Sequence, residues 1–129
     1  MKQSAILPCP CGGANYAACC QPYHDGALPP DAERLMRARY SAYALGNMQF
    51  VFDTWHPNTR PVRDEIAHDP QIKWLGLEVR RHVPGESESF VEFVARSKGG
   101  GRAQRLHEVS RFVREGGRWL YIDGVFPEK

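Results

Sequence analysis

Between residues 31 and 70 the apolar residues recur at three- and four-residue spacing, and from 71 to 126 they alternate. Leu35, Ala38, Ala42 and Leu45 mark one helical face, which Met36, Tyr40 and Tyr43 widen, while Arg34, Arg37 and Ser41 fall on the other side. Asp31 is placed to cap a helix over AERLMRARYSAYAL, and Gly46 to end it. Asn47 caps a second short helix, MQFVFDTW, which stops at His56-Pro57. A third helical turn is expected in VRDEIAH, residues 62–68, opened by Pro61.

Four strands follow. Residues 73–83 put Leu75, Leu77 and Val79 on one face. Residues 89–97 put Val91, Phe93 and Ala95 on one face, with Phe90 and Val94 opposite. Residues 103–114 and 118–124 complete the set, with turn signals in GESE (85–88) and EGG (115–117) and a flexible connection expected in KGGGR (98–102). Helices first and strands afterwards imply an α+β fold, with the helices covering one face of a curved sheet that is antiparallel at least across its last three strands.

With 129 residues, 42% of them hydrophobic and 25% charged, the chain has the composition of one globular domain. The apolar run before Pro8 is too short for a secretory core, and no run reaches the roughly 18 residues that cross a bilayer. A cytoplasmic protein without a membrane span is expected. The net charge of +2 does not call for nucleic acid. Thirteen of the 17 basic residues are arginine, but they spread from Arg34 to Arg118 without a dense run.

Residues 1–30 are rich in Cys, Gly and Pro and lack periodicity. All four cysteines lie in CPCGGANYAACC, residues 9–20. Cys9-Pro10-Cys11 and Cys19-Cys20 supply two close pairs of soft ligands, and Gly12 and Gly13 permit a tight turn after the first pair. A structural metal site, zinc above all, is the leading reading. Redox use and free thiols are the alternatives, and a vicinal Cys19–Cys20 disulfide would be strained. Four protein ligands leave no open position for a catalytic water. His24 is the one reserve ligand nearby, or else an exposed loop histidine.

CPCGGANYAACC resembles the SEC-C motif, usually C-P-C-G-S-G, a few variable residues, Tyr, two more, then Cys-Cys or Cys-His. The seven residues between Cys11 and Cys19 are one fewer than usual. Elsewhere LMRARYSAYALGN, TWHP, KWLGLEV, EFVAR and HEVSRFVREGGRWLYIDG resemble the YchJ-like family of bacterial proteins. This resemblance covers most of the chain. It implies a SEC-C segment over 1–28, with zinc on Cys9, Cys11, Cys19 and Cys20 and a role in recognising a protein partner; such a knob either presents Tyr16, Tyr23 and His24 to the partner or packs on the main domain. It also implies a cone-shaped α+β domain over 29–129, similar to nuclear transport factor 2 and ketosteroid isomerase. A second SEC-C motif, which some members carry at the C-terminus, is not seen in this sequence.

A cone of this kind encloses a pocket between helices and sheet. If the last hairpin turns on two residues, Leu106, Glu108, Ser110 and Phe112 share a face with Trp119, Tyr121 and Asp123; a bulge would break that parity. The pocket candidates are therefore Tyr40, Trp55, His56, Glu108, Ser110, Tyr121 and Asp123. Read plainly, Glu108 pairs with an arginine such as Arg39 or Arg111, and His56 only terminates its helix. The expected function is a zinc-stabilised adaptor or small-molecule-binding protein. The alternative is an enzyme using acid–base carboxylates in the cone, for which the resemblance implies no catalytic residues.

Overall fold

The longest helix, α2 (Ala32–Leu45), begins where Asp31 Oδ1 accepts the Arg34 amide at 2.8 Å and ends at Gly46, whose φ of 80° suits a residue without a β-carbon. A computed structural model describes residues 7–127. Before α2 stand the cysteine-bearing loop, a 3-10 turn at Tyr16–Ala18 and the single helical turn α1 (Gln21–His24). After it come α3 (Met48–Asp53) and a second 3-10 turn at Arg63–Glu65. The strands β1 (Lys73–Val83), β2 (Glu88–Gly99), β3 (Arg102–Glu115) and β4 (Arg118–Val125) form one sheet in that order, antiparallel throughout. The fold is α+β.

Two helical expectations shorten. Helix α3 stops at Asp53, because Thr54, Trp55 and His56 turn to the free edge of β4. There Tyr121 N donates to Thr54 O at 2.9 Å, and His56 N donates to Tyr121 O at 2.7 Å. Both outward backbone groups of Tyr121 on this edge strand are thereby satisfied. The expected turn over 62–68 is only the 3-10 turn, because Ile66 leaves the helical path to pack with Ala42, Met48 and Val51.

KGGGR is not a flexible link. Gly100 and Gly101 (φ 59° and 78°) form a two-residue turn between the paired Gly99 and Arg102, and Gly116 and Gly117 (φ 60° and 81°) do the same between Glu115 and Arg118. Positive φ at both central residues is the hairpin turn that matches strand twist.

Three register shifts interrupt the sheet, two in β1 (at Trp74/Gly76 and Val79/Arg81) and one between β3 and β4. In β1 the register shifts between Trp74 and Gly76, which leaves Leu75 outside at 58% exposure while Trp74, Leu77 and Val79 face the helices. In β4, Phe112 pairs with Tyr121 but Arg111 pairs with Asp123, so Ile122 is the extra residue. Asp123 therefore moves to the outer face and Gly124 turns inward opposite Ser110. On that outer face Arg111 holds Asp123 through Nε and Nη2 at 2.9 and 2.8 Å, and Glu88 through Nη1 at 3.0 Å. Asp123 is not a pocket residue.

The inner face meets α2 in one core. Leu35, Met36, Ala38 and Tyr40 pack with Val91, Phe93, Phe112 and Trp119, and Cys9, Cys11 and Cys20 belong to the same buried group. Only part of the polar side of α2 is covered: Ser41 is fully buried beneath the cysteines, while Arg34 stays exposed and Arg37 half-buried. Leu35 is wholly enclosed at the centre of this shared core. Leu35→Ala is expected to destabilise the protein by about 2–5 kcal/mol in denaturant unfolding, as a single cooperative transition.

Candidate functional site

The cysteine loop is shaped by its backbone. Cys9 N donates to Gly13 O at 2.9 Å and Gly12 N to Cys9 O at 3.0 Å, which closes a turn around the first pair. Gly12 supplies a φ of 109°. Gly13 is required for room, since a β-carbon there would stand 2.7 Å from Cys19 Sγ. The four Sγ atoms lie within 4.8 Å of one another, with Cys11 to Cys19 at 3.6 Å and Cys11 to Cys20 at 3.7 Å. All four cysteines are free. Four thiolates about 2.3 Å from one ion at tetrahedral corners stand about 3.8 Å apart. The donor set therefore fits a tetrahedral metal ion, despite the shortened loop.

The thiols influence one another. The hydrogen bond from Cys20 pulls the Cys11 thiol down to about 4 against its burial, and Gly13, Cys9 and Cys19 assist. The same bond, with burial, pushes Cys20 up. Burial first, then Cys11, pushes Cys19 up to about 11. Helix α2 supports the cluster from below. Ser41 Oγ donates to Cys20 Sγ at 3.3 Å and lies 3.3 Å from Cys9 Sγ. His24 is neither a ligand nor an exposed histidine. Its Nε2–H donates to Ala38 O at 2.8 Å, and its Nδ1 accepts from the Tyr16 hydroxyl at 2.6 Å. Tyr16, Tyr23 and His24 thus pack on the main domain.

The second site is a cavity of about 370 Å³ between α2 and the sheet. Of the expected pocket residues, Tyr40, Trp55, Glu108, Ser110 and Tyr121 line it. His56 does not: its Nε2–H donates to Glu115 at 2.9 Å, its Nδ1 accepts the Asn58 amide at 3.0 Å, and it fastens the loop after α3. Met36, Arg39, Tyr43, Trp74 and Phe93 also line the cavity. Among these Arg39 carries the most chemistry. It stands four residues after Leu35 and three after Met36, a cation inside an apolar stripe, which was the signal available in the sequence.

Glu108 is 8% exposed, and its Oε2 accepts from Ser110 Oγ at 2.9 Å and from the Tyr121 hydroxyl at 3.1 Å. Its carboxyl group occupies the space where a β-carbon of Gly124 would stand. No arginine lies within ion-pair distance of it among the described residues. Arg39 Nη1 instead donates to Val51 O at 2.9 Å and Thr54 Oγ1 at 2.8 Å. Its guanidinium lies 4.6 Å from the centre of the Tyr121 ring and 5.2 Å from that of Trp55. Burial pulls Arg39 down, and Tyr43, Tyr121 and Glu108 oppose it. Burial first, then the Glu108 carboxylate, pushes the Tyr121 phenol well up.

A sequence profile described as the YchJ middle NTF2-like domain matches residues 31–124. The chain belongs to the YchJ-like family. It is 51% identical to a UPF0225 protein of Chromobacterium violaceum, covering 96% of both chains. A UPF0225 protein of Methylibium petroleiphilum is 56% identical over 93% of this chain and 89% of its own. The solution structure of a SEC-C motif containing protein from Rhodopseudomonas palustris superposes with a TM-score of 0.81 at 33% identity, over 95% of this chain and 100% of that one. A crystal structure of a SEC-C motif containing protein from Psychrobacter arcticus gives 0.77 at 29% identity, over 96% and 85%. The family and its solved relatives account for both parts of the fold: the NTF2-like cone and the SEC-C cysteine segment. No helix among the described residues is long and apolar enough to cross a membrane.

The raised Tyr121 phenol has a consequence for stability. Its folded value lies above the unfolded value of about 10, so its contribution is full below pH ~10 and is lost as pH rises further. Tyr121→Phe is expected to lessen the fall in unfolding free energy as pH rises above about 10, read by denaturant titration. Gly124→Ala is expected to displace Glu108 and cost about 1–3 kcal/mol, read in the same way.

Proposed function

We propose that this protein is a cytoplasmic small-molecule-binding protein whose fold is fastened by one structural zinc ion. The observation that carries the reading is the cavity at the centre of the cone. It has aromatic walls and three polar groups of different character, Arg39, Glu108 and Ser110, and its volume of about 370 Å³ is within the range of small-molecule sites.

Zinc is supported by the donor set. Four thiolates select a soft or borderline ion, and zinc accepts the tetrahedral spacing of these sulfurs without redox chemistry. Cys9, Cys11, Cys19 and Cys20 would hold it, with every position filled and no place for substrate. The reducing cytoplasm keeps such thiols available to a metal. An adaptor role through the SEC-C segment draws less support, since Tyr16 and His24 are bound to each other and to α2. Acid–base catalysis also draws less, because Glu108 Oε2 already accepts two hydrogen bonds and Tyr121 spends its proton on that carboxylate.

Metal analysis of purified protein is expected to give one zinc per chain. Because the cysteines share the core with α2 and the sheet, chelation should lower the Tm of the whole chain. Retention of the full Tm after complete chelation would overturn the structural role. Ser41→Ala removes the hydroxyl that supports two of the four sulfurs and should weaken zinc about 10–100-fold in a competition titration. For the cavity, a thermal-shift screen of metabolites should find ligands that raise Tm, and substitution of Glu108 by Gln should alter that response without altering zinc content.

A further inference from the structure

Two groups in the cavity can only donate hydrogen bonds, and both are short of acceptors. Arg39 is 7% exposed, and no carboxylate oxygen lies within ion-pair distance of it among the described residues. Both of its hydrogen bonds to those residues leave from Nη1, to a carbonyl and a hydroxyl. The edge formed by Nε and Nη2 is the part of a guanidinium that grips a carboxylate with two parallel bonds. Trp55 stacks near the same guanidinium, and its indole Nε1 is buried with no hydrogen-bond partner. A buried donor left unpaired is among the costlier features a fold can keep.

The fold pairs charges well elsewhere. On the outer face Arg111 holds two carboxylates at once, although water is there to solvate it. The buried Arg39 has none. Glu108, in the same cavity, is kept from it by Tyr121, whose ring lies 4.6 Å from the guanidinium while its hydroxyl holds Glu108 Oε2. Around these groups the walls are apolar: Met36, Tyr40, Tyr43, Trp74, Phe93 and Phe112.

We infer that the cavity takes a small apolar or aromatic carboxylate, its carboxylate accepting from the Nε and Nη2 edge of the Arg39 guanidinium and its hydrocarbon part lying among the aromatic rings, Trp55 included. This rests on the ligand-binding reading above and names the class of ligand for it. A carboxylate supplies acceptors for the free guanidinium edge and neutralises the buried cation; an alcohol of the same shape brings no charge, an amine brings a positive one, and neither is a two-point acceptor.

The test uses the whole zinc-loaded chain and two matched series: phenylacetate and isocaproate, and the corresponding alcohols. Binding is read by thermal shift, and by the indole N–H signal of Trp55 in a nitrogen-15 NMR spectrum. The carboxylates should raise Tm and move the Trp55 signal; the alcohols should do neither. Arg39→Lys keeps the charge and loses the fork, and should weaken the carboxylates at least about tenfold. Should that variant fail to fold, Trp55→Phe serves in its place. It keeps an aromatic ring beside the guanidinium but removes part of the cavity wall, so the chain should fold with a lowered Tm while carboxylate affinity falls several-fold. If alcohols bind as tightly as acids, the carboxylate assignment is wrong and the ligand-binding reading survives. If acids bind the variants as well as they bind the natural chain, the assignment is likewise wrong. If neither series binds, the carboxylate assignment is wrong, and the ligand-binding reading falls with it only if the wider metabolite screen also raises no Tm.

Discussion

Helix α2 must present a different chemistry to its surroundings at nearly every step of its middle turn, and the other elements are arranged around that demand. Ala38 offers its carbonyl to His24. Arg39 enters the cavity, and Tyr40 packs there beside Trp74. Ser41 reaches two cysteine sulfurs, and Ala42 packs on the second apolar cluster with Val51 and Ile66. Successive residues of a helix are turned by about 100°, so a slip of one position would swing the guanidinium out of the cavity and the hydroxyl away from the sulfurs. The cap at Asp31 and the left-handed stop at Gly46 fix where the helix begins and ends.

The same helix joins the metal segment to the cone energetically. A Pro- and Gly-rich stretch cannot bury enough apolar surface to order itself. Here it is held by one core that includes Cys9, Cys11 and Cys20 together with Leu35 and Phe112. Buried thiolates without a cation would oppose that burial, and an ion removes the opposition. Around the sulfurs the charges are balanced: Arg34 and Arg37 line the same depression as Cys11 and Cys19 together with Asp31 and Glu33, and Arg37, paired with Glu33, also donates from Nη1 to Cys11 O at 3.3 Å. The cysteine cluster and the cavity thus rest on the same helix, the cysteines through Ser41 and the cavity through Arg39 and Tyr40.

Periodicity made α2 and all four strands legible, because each buries one continuous face and the pattern of that face is long enough to read. The four sulfurs were legible for another reason: soft ligands so densely grouped have few alternative uses. What periodicity cannot carry is an extra residue. The bulge in β1 placed Leu75 outside, and the bulge at Ile122 moved Asp123 across the sheet, although neither position differs in residue type from an ordinary strand. His24 was misjudged for a similar reason. Its role depends on Ala38 and Tyr16 meeting in space, and sequence distance says nothing about that. Arg39 was open to discovery, since a cation within an apolar stripe must be paired, solvated or used.

The bulge at Ile122 also decides what kind of charge the cavity can receive. Without it, the register of the hairpin would carry on from Phe112 opposite Tyr121 to Ser110 opposite Asp123, and a second carboxylate would face inward beside Glu108. Two carboxylates in a low-dielectric site cannot both remain ionised without a cation, so the cavity would favour positive ligands or would trap Arg39 in an internal ion pair. With the extra residue, Gly124 takes the inward place and its missing side chain leaves room for Glu108. Glu108 then settles on Ser110 and Tyr121, its charge answered by two hydroxyl donors. Asp123, meanwhile, is answered by Arg111 on the far side of the sheet. One inserted residue thus removes the competitor that would otherwise neutralise Arg39, and leaves the guanidinium as the group in the cavity whose charge is still to be met.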